Sequence, residues 1–155
     1  MEKSIEEIIK DLEDEDEFTQ EEACALLESN AKESLEPLIE ALLTNRNKNV
    51  KISAAKILGL IGDERAIEPL ITTLRDNNKL VRREASTSLS QMGEKAIDPL
   101  INILTDDDWK VRGAAAWALG GIGNERAIDP LNKLLDDESG FVNAGAKWAI
   151  ANIKS

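Results

Sequence analysis

One unit of about 31 residues recurs five times along this chain, and that repetition decides most of what it can fold into. "ERAIEPLITTL" begins at Glu64, "EKAIDPLINIL" at Glu94 and "ERAIDPLNKLL" at Glu125. A more divergent copy, "ESLEPLIEALL", begins at Glu33. A second element alternates with the first and starts at Val50, Val81, Val111 and Val142, with spacings of 31, 30 and 31 residues. The shorter spacing reflects one residue missing after Gly93, where other copies read "GDER" and "GNER". A degenerate copy fills the first 30 residues: Ile5, Ile8, Ile9 and Leu12 match Ile67, Leu70, Ile71 and Leu74, and Phe18 is read in place of Val50.

Each unit reads as two helices. The first, A, has apolar residues at i, i+3, i+4 and i+7, as in Ile97, Leu100, Ile101 and Leu104. Its Pro falls early, where a missing N–H costs nothing, and Asp98 or Asp129 just before it is expected as the N-cap. In the first copy Ser4 and Glu7 have the spacing of a capping box. The second helix, B, has apolar residues at offsets 0, 4, 8 and 11 from its Val, namely Val111, Ala115, Leu119 and Ile122 in the fourth unit. Gly62, Gly93 and Gly123 follow and are suited to left-handed termini. Strand patterns are absent. One helix pair cannot bury its own apolar face, but stacked pairs can. The expectation is therefore an all-α solenoid of about five helix pairs forming a single domain over 1–155, with units at about 4–30, 33–62, 64–93, 94–123 and 125–154.

Composition narrows the function. The net charge is −11, which disfavours nucleic acid and anionic membrane as partners. No run of 18 apolar residues exists. The acidic, amphipathic start "MEKSIEEIIKDLEDEDE" does not resemble a targeting peptide, so a cytoplasmic protein is expected. The absence of His removes His-dependent triads and most zinc sites, and no catalytic residue, metal or cofactor is assigned. The "GGIG" at 120–123 lies inside a helical pattern with no strand before it, so it reads as close helix packing rather than a phosphate loop. Cys24, the one cysteine, falls at offset 6 from Phe18 and reads as a small apolar filler with no nearby cation to lower its pKa. The run from Glu13 to Glu17 reads as a solvated loop that caps the next helix.

A tetratricopeptide unit wants a Tyr and an ankyrin unit a His, and the chain has neither. "GDERAIEPL" with "DDDWKVRGAAAWALG" instead resembles the HEAT-like repeats of the phycobilisome-lyase type, over nearly the whole chain. That resemblance implies a right-handed solenoid with its B helices on the concave side. It also implies a ladder between stacked units, formed by Asp76, Asp106 and Asp137 with Arg82 and Arg112. Lys51 and Asn143 depart from the ladder, so looser stacking is expected at both ends. Members of the family range from bilin-lyase subunits to scaffolds. A branch with a di-iron centre uses His-Glu pairs, which are missing here.

The tryptophans offer the candidate site. Offsets 0, 4, 8 and 11 of helix B span a stripe of roughly 80°, and offset 6 falls about 155° from its middle. Trp117 and Trp148 both occupy offset 6. They should point outward from the B layer, over Gly113, Ala114 and Gly121 in the fourth unit and Ala144, Gly145 and Asn152 in the fifth. The second unit adds Ile52, Lys56 and Leu60, and the third adds Arg83, Glu84, Thr87 and Gln91, so the trough should turn from apolar to charged toward the middle. Three roles stay open: a binding surface, rings that merely fill the groove between helices, or a dimer seam. Trp109, in the turn before Val111, is expected at the repeat edge. The preferred function is a non-enzymatic interaction or scaffold module for a protein or peptide partner, itself a monomer or weak homodimer. The alternative, implied by the resemblance, is an accessory subunit of a bilin or tetrapyrrole lyase-type complex.

Overall fold

The computed structural model describes residues 2–155, and all regular structure among them is helical. The A helices are α1 (Ile5–Asp11), α3 (Ala31–Thr44), α5 (Ile67–Thr73), α7 (Ile97–Asn102) and α9 (Ile128–Asn132). The B helices are α2 (Glu17–Ser29), α4 (Lys48–Ile61), α6 (Lys79–Gln91), α8 (Trp109–Ile122) and α10 (Gly140–Lys154). Each B helix packs on the A helix before it and on the neighbouring B helices. The result is the stacked-pair solenoid that the repeats imply. Its core is one continuous apolar layer between the two sets of helices, with Leu38, Leu58, Leu70, Leu89, Leu100 and Leu119 almost wholly excluded from water. Truncating one such Leu to Ala should cost about 2–5 kcal/mol.

Local sequence explains the helix ends. Ser4 and Glu7 form the capping box. Asp16 caps α2 from within an exposed acidic loop, as expected of the run around it. Asn47, Asn78, Asp108 and Ser139 cap the other B helices with their side chains. Gly62, Gly93 and Gly123 take φ values of 72°, 68° and 78°, the left-handed turn that Gly enters without strain.

Three expectations need correction. Asp98 and Asp129 are not N-caps. A short 3-10 turn runs straight into α7 and α9, so the chain is already helical at Ala96 and Ala127 and both Asp residues lie within the first helical turn. For α9 the cap acts one step earlier, where Asn124 accepts from the Arg126 N–H, and Asp63 does the same for α5 by accepting from the Arg65 N–H. Phe18 does not take the place of Val50. Val50, Val81, Val111 and Val142 are fully buried, whereas Phe18 is 73% exposed. Helix α2 begins at Glu17, so its third residue, Thr19, holds that register, and Ala23 and Leu27 then fall into the core where the repeat requires them. Cys24 accordingly sits at offset 5. Burial pushes its thiol pKa up, against smaller pulls from the Ser53 hydroxyl and the Lys56 ammonium.

The inter-unit ladder exists, with one substitution. Arg112 holds Asp137 through Nε and Nη2 at 2.9 and 3.0 Å. Lys51 reaches Asp76 at 2.7 Å, so the N-terminal rung is made rather than loosened. Asp106, however, is taken by Arg75 from the end of the preceding A helix, not by Arg82. Asn143, at the ladder position of the last unit, turns to donate to the Leu135 carbonyl. Each Asp also accepts a backbone N–H two residues on, so one carboxylate ties the turn and the neighbouring unit together. Hydrogen bonds from Arg112 and from Arg75 hold Asp137 and Asp106 below the usual carboxylate range. Burial pushes Asp76 up, but its bonds from Lys51 and the Asn78 N–H outweigh that, and its pKa too is lowered.

Candidate functional site

The B helices approach closely because small residues face each other. A Cβ on Gly120 would lie 2.7 Å from the Ala149 Cα, and one on Gly59 2.9 Å from the Ser88 Cα, so neither position admits a side chain at this spacing. Hydroxyl and amide groups fasten the contacts to helix carbonyls: Ser88 to Ala55 at 2.7 Å, Ser86 to Ala114 at 3.0 Å and Asn152 to Gly120 at 2.8 Å.

On this floor three aromatic rings each find a glycine. Phe141 of α10 lies over Gly113 of α8, and Trp148 lies over Gly120. Each ring thus covers the glycine three repeat positions further along the preceding helix. Trp117 leans the other way and sets its Nε1 against Gly145 of α10, where an added Cβ would come within 2.9 Å. The Trp117 and Trp148 rings meet at 4.6 Å between centroids, tilted by 32°. Trp109 meets Phe141 edge-on at 5.7 Å. Trp117 is half-buried and its Nε1 is covered without a hydrogen-bond acceptor, while Trp148, Trp109 and Phe141 remain 40%, 48% and 44% exposed.

These rings wall a groove of about 780 Å³ across α6, α8 and α10. Trp117, Trp148, Ala114, Gly121, Arg83 and Thr87 all line it, so six of the nine site residues expected from sequence come together. The other three do not form open floor. Gly113 and Gly145 are buried as seats for Phe141 and Trp117, and Ala144 is exposed outside the groove. Trp117 therefore does two things: it fills the seam between α8 and α10, and it presents part of its ring to the groove. Gln91 lines the groove as expected, whereas Glu84 does not.

Two walls of the groove lie outside the residues expected from sequence. Trp109 is not in the turn between helices. It is the first residue of α8, because Asp108 caps that helix by accepting from the Lys110 N–H at 2.9 Å, and it faces the groove. Phe141 is the second of these walls. A signal for it existed: the position before each Val lies only about 20° from offset 6 on a helical wheel. Helices α4, α6, α8 and α10 begin two residues before their Val, so a wheel counted from the Val lacks that preceding turn. The charge expected toward the middle of the trough, at Arg83, is joined by Lys79, Arg82 and Lys110, which come from that same preceding turn and its flank. Lys110 stands 5.9 Å from the Trp109 ring centroid, within range of a cation–π contact, and 3.8 Å from Asp108.

Among the described residues no helix is long and apolar enough to cross a membrane. Among curated proteins, none matched the chain in sequence. Solved structures share its fold. The CpcE and CpcF complex of phycocyanin lyase from Nostoc sp. PCC7120 contains a chain 22% identical, with a TM-score of 0.68, covering 94% of this chain and 96% of that one. A designed armadillo repeat protein in complex with the peptide (KR)4 is 25% identical with a TM-score of 0.51, covering 99% and 83%. An engineered protein is 28% identical with a TM-score of 0.51, covering 97% and 81%. A family profile described as HEAT repeats matches residues 35–108 and 97–155. With that match over most of its length, and ten α-helices stacked in pairs among the described residues, the chain belongs to the HEAT repeat family.

Proposed function

We propose that the protein is a non-enzymatic interaction module that holds a segment of a partner protein in the groove across α6, α8 and α10. The observation that carries this is the groove itself: large rings left substantially exposed beside small residues, with room for protruding side chains. Rigid aromatic surface of this kind supplies binding energy at low entropic cost. The likeness to a designed repeat protein in complex with a peptide supports the choice of a peptide-like occupant. A photo-crosslinking residue at Thr87, inside the groove, should capture one partner in cells and lose it when Trp148→Ala is added. The same probe at Lys32, exposed on α3, should not capture that partner. Identical products from the two positions would count against the proposal.

A second reading draws on the exposed Trp148 ring of the same wall. Two indoles 4.6 Å apart, beside cations, suit a planar tetrapyrrole with carboxylate arms, as in an accessory subunit of a lyase-type complex. Visible circular dichroism induced on adding biliverdin, and lost in Trp148→Ala, would favour it.

A further inference from the structure

The groove's charge runs against that of the chain. The protein carries a net charge of −11, yet Lys79, Arg82, Arg83 and Lys110 line the groove and, among the described residues, no carboxylate does. Arg82 stands out among the four. It occupies the repeat position of Arg112, and the two begin alike. Arg82 donates from Nη1 to the Asp76 and Asn77 carbonyls at 2.8 and 3.0 Å, and Arg112 to those of Asp106 and Asp107 at 2.9 and 3.1 Å. Arg112 then clasps Asp137 with its Nε and Nη2 edge. The counterpart for Arg82 would be Asp106, which Arg75 holds instead. Among the described residues, the Nε and Nη2 edge of Arg82 therefore holds no carboxylate, and Arg82 is one of the residues that line the groove.

We infer that the groove takes an acidic segment of a partner protein, with one carboxylate on the Nε and Nη2 edge of Arg82 and an apolar side chain against Trp148 and Phe141. This rests on the interaction-module function and names the chemistry of its partner. Arg112 with Asp137 displays the same two-point geometry in which a fork of N–H donors fits a carboxylate. Lys79 and Arg83, both exposed, extend the positive field along the groove, so a basic segment meets repulsion there.

The test is to pan a display library of random dodecapeptides against the whole protein, with Trp148→Ala, Arg82→Gln and Arg83→Glu in parallel. Enriched sequences should be net negative with one large apolar residue. The best of them, resynthesised, should bind about tenfold or more weakly to Arg82→Gln. It should also bind more weakly to Arg83→Glu and as salt rises. Arg83 makes no side-chain hydrogen bond among the described residues, so its variant keeps the test valid even if Arg82→Gln fails to fold. Neutral or basic peptides that need Trp148 but ignore both arginine variants would overturn the inference and leave the groove's function standing. No peptide that depends on Trp148 would sink both. The chain's own acidic run, Glu13 to Glu17 followed by exposed Phe18, has the same chemistry. Self-association at micromolar concentration in sedimentation, abolished by Phe18→Ser and by Arg83→Glu, would overturn a separate partner in favour of a second copy.

Discussion

The junction between α8 and α10 and the junction between α6 and α8 are built on the same repeat, and they are finished differently. At the first, rings bed onto glycines from both sides and Arg112 clasps Asp137. At the second there are no rings to share. Ser86 reaches the Ala114 carbonyl, Ser90 stands over Gly121, and Arg75 replaces Arg82 on the ladder. One junction is sealed by its own side chains and the other is left with an unclasped arginine. The groove lies where the sealed junction gives way to the open one. A repeat fold thus sets the spacing of helices, while a few residues at equivalent positions decide whether the surface between them is closed or available.

Substituting adjacent glycines should expose that difference most strongly. Gly120→Leu pushes into the Ala149 backbone as well as the Trp148 ring, and neither can give way without moving α10. It should destabilise the fold by about 3 kcal/mol, the upper end of overpacking costs. Gly121→Leu, one residue on, meets only the Ser90 hydroxymethyl, which can rotate aside. It should cost about 1 kcal/mol or less, because the better helix former offsets part of the strain. Thermal melts of the two variants decide this, and equal losses would mean the junctions are equally tight.

Next in size is Trp117→Ala. The ring is half-buried and stacked on Trp148, not wedged between the A and B layers. A loss of about 2 kcal/mol is expected, below the ~3–5 kcal/mol of a core Trp. A chemical denaturation curve showing more would place Trp117 in the core. The arginines should separate next. Arg112→Gln gives up a clasped carboxylate and should cost about 1–2 kcal/mol, and Arg82→Gln about 1 kcal/mol less, since it gives up carbonyl bonds alone.

How far the sequence foretold this can be judged at particular residues. Val111, Ala115, Leu119 and Ile122 announced α8 because a core stripe needs only periodicity. The outward aim of Trp117 and Trp148 followed from the same arithmetic. What a helical wheel cannot contain is the neighbouring helix. Gly113 looked like open floor because nothing in its own helix covers it, and Phe141, 28 residues away, does. Arg82 looked like Arg112 because their surroundings within the unit are alike. They differ because position 75 carries an Arg, and Arg75 competes for the same carboxylate. Phe18 was misplaced because a degenerate unit offers two apolar registers one residue apart, and only the burial of Ala23 and Leu27 chooses between them.

Acid titration should give the smallest difference between the junctions. Asp137 and Asp106 both have folded-state pKa values below the ordinary one, owing first to Arg112 and to Arg75. Such a group stabilises the fold fully above its unfolded pKa, about 3.9. It loses that contribution as pH falls toward the folded value, because the unfolded chain takes up its proton first. A second effect has the opposite sign at higher pH: lowering pH from 7 toward the isoelectric point near 4.5 relieves repulsion in a chain of net charge −11. Stability should therefore rise modestly between pH 7 and about 5 and fall below about 4. The sealed junction should dominate the acid limb, since Arg112 is only 18% exposed, whereas Arg75, at 49%, is more screened by water. Asp137→Asn should flatten the fall below about pH 4 more than Asp106→Asn does. Urea melts of the three proteins across that range would measure it, and indistinguishable slopes for the two variants would mean that both rungs are equally solvated.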